Sequence, residues 1–142
     1  MGLLLAGVIL WSVMHFLPAG AAGLRGNMVG VIGDGPWKGL VTLSLILSIA
    51  LIVMGWRSII PAPVYVPPGI GTVLMTPLMI LAVVLLGAAN AKTNIKRYIR
   101  HPMLTGIIVW TAAHLMTNGD DRTTVLFGGF GLWAIVMIIF IN

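Results

Sequence analysis

The chain has 142 residues, of which 59% are hydrophobic and 8% charged, and its mean hydropathy is +1.09. A soluble domain carries about 25% charged residues, so this composition excludes an ordinary soluble fold and specifies an integral membrane protein. With no cysteine, disulfides, iron–sulfur ligation, thiolate metal sites and thiol catalysis are excluded as well, and the net charge of +5 does not point to nucleic acid, because the cations lie in short gaps between apolar runs where membrane topology uses them.

Five apolar runs follow in chain order. The first is roughly 2–17, GLLLAGVILWSVMHFL, and reaches about Leu24 if Pro18 is a kink, which membrane helices tolerate. PAGAAG after it would suit signal-peptide cleavage, but no basic residue precedes the run, so it reads as a retained helix. The second run is roughly 37–56, the third roughly 70–90, the fourth roughly 102–117 and the fifth roughly 123–141. A spanning helix needs about 20 apolar residues, with a range of about 17–25. The second, third and fifth runs fit; the fourth is short unless its helix begins in the basic stretch before it. The expectation is an all-α, polytopic membrane helical bundle of about five transmembrane helices, folded as a single domain over residues 1–142.

The gaps give the orientation. Arg25 and Lys38 lie between runs one and two, and Lys92, Lys96, Arg97 and Arg100 between runs three and four, against only Arg57 and Arg122 in the alternate gaps. The cation-rich side belongs in the cytoplasm, which puts the N-terminus outside. SIIPAPVYVPPGI, between runs two and three, holds four of the eight prolines and reads as a stiff extended connector. GDGP at 33–36 is turn material. Ser44, Ser48 and Gly55 in run two, and Gly128, Gly129 and Gly131 in run five, provide small faces for helix packing. The latter glycines, beside Phe127 and Phe130, would also suit a flat ring lying against the helix. Asp120 and Asp121 are placed to cap the fifth helix with Thr123, the alternative being a cation site.

Chemistry rests on three histidines. WSVMHFLPAG and VWTAAHLMTNG share Trp, three residues, His, and Gly five places later. Trp11 with His15, and Trp110 with His114, therefore each occupy one helix face. An ionisable group within a span is a functional candidate by default, and imidazole is the commonest metal ligand. Three histidines without a carboxylate cluster do not suit structural zinc. Haem brings its own four nitrogens and needs one or two axial histidines, which the composition permits. The plainer reading of each is a hydrogen-bonded interfacial imidazole, above all His101 between Arg100 and Pro102.

KRYIRHPMLTGIIVWTAAHLMTNGDDRTTVLFGGFGLWAI, together with the His15 segment and GDGPWKGLVTLSLILSIALIVMGW, resembles the NnrU family over nearly the whole chain. That resemblance implies a multi-pass protein of the bacterial cytoplasmic (inner) membrane, associated with nitrite and nitric oxide metabolism. The family shares a domain with 15-cis-ζ-carotene isomerase, a membrane enzyme that uses haem b. By motif, the isomerase's axial histidines correspond to His15 and His114, and His101 matches a further characteristic histidine. The second run ends GWRS, where the isomerase pattern has one more histidine. The resemblance thus implies haem b on His15 and His114, with Arg100, Lys96 or Arg97 available to its propionates. If the first helix stops at Pro18, His101 replaces His114 as the partner of His15. The Arg100-His101-Pro102 start is also similar to isoprenylcysteine carboxyl methyltransferases, but their following aromatic residue and C-terminal cofactor block have no counterpart here.

Two function classes follow. One is a haem-dependent isomerase or redox protein acting on a lipid-soluble or gaseous substrate. The other is a non-catalytic small subunit or scaffold of a larger membrane complex or homo-oligomer. Both place the chain in a lipid bilayer.

Overall fold

The computed structural model describes residues 1–142. It is all-helical, with α1 Gly2–Gly20, α2 Ala22–Ile32, α3 Asp34–Ser58, α4 Gly71–Asn90, α5 Ile95–Tyr98, α6 Pro102–Leu115 and α7 Asp121–Ile141. The helices fall into two packed units, Met1–Ile60 and Pro61–Asn142. Helices α1, α3, α4 and α7 are long and apolar enough to cross a membrane. The protein is a multi-pass helical membrane protein.

In the first unit α1 packs on α3, and α2 joins them. Gly7 of α1 lies against Ser48 and Ile52, where a Cβ would stand 2.7 Å from Ile52 and 2.8 Å from the Ser48 carbonyl. Gly55 lies against the backbone of Leu4. The contacts run in opposite order along the two chains, so the helices are antiparallel. Lipid offers no hydrophobic drive for helix association, so close backbone approach across small residues is what holds them. Ser48, wholly buried, donates its hydroxyl to the Leu45 carbonyl at 2.6 Å, while Ser44 remains on an exposed face.

Pro18 lies inside α1, and the helix continues two residues past it before Ala21 (φ −125°, ψ 47°) ends it. It therefore stops between the two expected limits, Pro18 and Leu24. The next residues, expected as a loop, form α2. Its three glycines each cost a helix roughly 0.5–1 kcal/mol, and its packing on α1 and α3 works against that cost. Gly33 closes α2 with φ +91°, a conformation that glycine alone adopts freely. Asp34 then opens α3 and pairs with Lys38 one turn on, at 2.5 Å.

In the second unit α6 packs against both α4 and α7. Gly106 faces Ala82 and Leu85, whereas Gly71 meets Met116, so α4 and α6 are antiparallel. His101 reaches Asn142 while Trp110 meets Phe127, so α6 and α7 are antiparallel too. The basic stretch does not extend α6. It forms the one-turn helix α5, and Ile99 returns to extended backbone. Pro102 disfavours helical geometry at the residue before it, and His101 is held at φ −124°, ψ 71° as the N-cap. With 14 residues, α6 is about 21 Å long, short of a hydrocarbon core of about 30 Å.

The proline-rich connector is extended, as its sequence implies, and it is fastened to the α6–α7 turn. Val64 and Tyr65 donate their amides to the Gly119 carbonyl at 2.7 and 3.1 Å. Asp121 donates its amide to the Ala62 carbonyl at 2.9 Å, and Ala62 donates to the Asp121 carboxylate at 3.1 Å. A side chain at Gly119 would strike the Tyr65 carbonyl. Asp120 caps α7, accepting from the Thr123 amide at 2.8 Å and the Thr123 hydroxyl at 2.9 Å.

Candidate cofactor-binding histidines

His114 sits in the last turn of α6 and is half-buried. Its Nδ1 lies 2.9 Å from the Trp110 carbonyl oxygen. A carbonyl only accepts, so Nδ1 carries the proton and, in the neutral ring, Nε2 keeps the lone pair. Phe127 of α7 stacks on the imidazole, with centroids 4.2 Å apart and planes 9° from parallel. Trp110 meets it edge-on at 5.2 Å and also packs edge-on against Phe127 at 4.9 Å. One turn before His114, Thr111 lies against Gly131, where a Cβ would come within 2.8 Å of the threonine hydroxyl. Gly131 is thus a packing glycine, whereas the space above Gly128 is open.

The backbone after His114 is held as firmly as the ring. The His114 carbonyl accepts from the amides of Thr117 and Asn118 at 3.2 and 3.0 Å. The Tyr65 hydroxyl is shared between the carbonyls of Leu115 and Asn118. Burial, with the nearby Asp120 charge second, raises the Tyr65 phenol above its ordinary range, which keeps the donor protonated. Tyr65 is the residue the sequence reading missed. Its only signal was a tyrosine set between prolines in a connector otherwise short of donors.

His15, in the other unit, repeats the local arrangement. Its Nδ1 lies 2.8 Å from the Trp11 carbonyl oxygen, and the Trp11 ring lies at 3.9 Å with a 34° tilt. Donation from one ring nitrogen to a backbone carbonyl is how metal-binding imidazoles are oriented and their tautomer fixed. His101 differs. Its Nε2 lies 3.1 Å from the Asn142 side-chain oxygen, on an exposed surface. His101 and the exposed Arg100 stand at the start of α6, thirteen residues or more before His114, about 20 Å away along the axis. The structure therefore separates them from His114.

The donor set suits one kind of cofactor better than another. No three His, Asp or Glu side chains come together as a metal-ligand group, so an ion relying on protein donors alone is poorly served. A tetrapyrrole supplies four donors itself and asks only for an axial imidazole with a defined tautomer. Nδ1 anchoring of His15 and His114, and the flat aromatic surface at His114, fit that demand.

The family model described as NnrU protein matches residues 3–142. No curated protein and no solved structure matches the chain.

Proposed function

We propose, from the chain's membership of the NnrU family, a haem b-binding protein of the bacterial cytoplasmic membrane, in which His114 and His15, each within its own unit, would be the residues that hold haem. The observation that carries this reading is the repeated arrangement of an imidazole whose Nδ1 is bonded to the carbonyl four residues back. Bound haem would supply an iron centre able to engage a carotenoid-type double bond or nitric oxide. The chain's own part is to present Nε2, to hold each ring at a set rotamer and, through Phe127 and Trp110, to keep an apolar surface beside His114. Arg100 would serve a propionate only if His101 were the ligand, because both stand at the far end of α6 from His114.

Protein purified in mild detergent from its native membrane should show a Soret band. His114→Ala and His15→Ala should each change the band, and the double variant should lose it, while His101→Ala leaves it intact. A band that survives the double variant, or vanishes only in His101→Ala, overturns the assignment. Colourless protein that leaves the membrane with a fixed partner supports the non-catalytic subunit instead.

A further inference from the structure

Between α4 and α6, four cations fall within nine residues: Lys92, Lys96, Arg97 and Arg100, all exposed. No carboxylate neutralises them. The unit's two acids, Asp120 and Asp121, are at the opposite end of α6, engaged with Thr123 and Ala62. The other cation-rich gap is different, because there Lys38 is paired with Asp34 and the cavity beside Arg25 includes Asp34.

Two cavities adjoin at Lys96. One, of about 460 Å³, is lined by Lys92, Thr93, Asn94 and Lys96. The Thr93 hydroxyl is buried and has no hydrogen-bond partner within the protein, an arrangement that costs about 1–3 kcal/mol unless something bonds to it. The second, of about 280 Å³, is lined by Lys96, Arg100 and His101 together with Pro102, Met103 and Leu104. Polar donors and apolar walls are thus continuous, at the level where the long apolar helix α4 ends. Tyr98, 89% exposed, stands beside them, and tyrosine favours the membrane–water boundary.

We propose that this segment is a binding site for an anionic phospholipid, with its phosphate among Lys96, Arg100 and the Thr93 hydroxyl and its acyl chain against Met103 and Leu104. A lysine paired with a guanidinium suits a phosphodiester. The apolar wall distinguishes a lipid from free phosphate. Anionic headgroups attract each nearby cation enough for two of them to set the affinity.

The test is thermal unfolding of the full chain in a zwitterionic detergent, titrated with dioleoylphosphatidylglycerol, dioleoylphosphatidylcholine or inorganic phosphate. Phosphatidylglycerol should raise the midpoint saturably, and the other two should not. In Lys96→Gln/Arg100→Gln the apparent affinity for phosphatidylglycerol should fall about tenfold or more. In Arg25→Gln/Lys38→Gln, which removes the same charge from the other gap, it should stay unchanged. Thr93→Val should weaken it severalfold at constant net charge. Equal losses in the two double variants, or equal protection by phosphatidylcholine or by inorganic phosphate, overturn the proposal.

Discussion

On α1, the Trp11 ring of the same helix lies 3.9 Å from the His15 ring, tilted by 34°. On α6, the ring parallel to His114 is Phe127, brought from α7, and Trp110 of its own helix turns edge-on. Both imidazoles make the same bond to the carbonyl four residues back, so the Trp-x-x-x-His spacing settles the nitrogen that carries the proton. It does not settle which ring covers the imidazole. That is decided by tertiary packing, through Gly131 on Thr111 and the Tyr65 connector on the α6–α7 turn.

The comparison breaks most visibly at Phe127. Phe127→Ala removes a buried ring and should destabilise the second unit by about 3 kcal/mol in detergent unfolding. It should also change any spectrum that depends on His114 more than one that depends on His15. Nearly as large is the effect of Gly7→Leu, whose Cβ has no room against Ser48 and Ile52. It should cost about 1–3 kcal/mol by overpacking α1 against α3, whereas Gly128→Ala, in open space, should be close to neutral.

Tyr65→Phe deprives the Leu115 and Asn118 carbonyls of their shared donor and should cost about 1 kcal/mol. It should also alter the response to pH. The folded phenol titrates above its unfolded value, so its contribution is complete below about pH 10 and is lost as pH rises through the raised folded value. Wild-type stability should therefore drop on that alkaline limb, and Tyr65→Phe should flatten the drop. The smallest effect expected is that of Asp120→Ala, about 1 kcal/mol or less from loss of the α7 cap, read as a lower unfolding midpoint.

Local rules made much of this architecture legible. Runs two, three and five are long and uninterrupted, and each forms one helix. Asp120 and Thr123 are three residues apart, so their cap could be read directly. The start of the fourth helix was left open between the basic stretch and residue 102, and Pro102 decides it, because a proline restrains the residue preceding it. The helicity of α2 was hidden by its glycines, since propensity leaves out the packing on α1 and α3. The connector's attachment to Gly119 joins residues more than fifty positions apart, and no local pattern encodes such a pairing. For the site, the spacing of His101 and His114 was visible, but their separation to opposite ends of α6 followed only once its boundaries were known.

The shortness of α6 has a consequence for access. Set in a bilayer between α4 and α7, a rod of about 21 Å leaves several ångströms of the slab to be filled by something other than helix. The basic segment around α5 lies at one end of α6 and the Tyr65 strap at the other, and His114 belongs to the final turn beneath that strap. A ring in that final turn therefore stands nearer the boundary of such a slab than its midplane, a shorter way in from water.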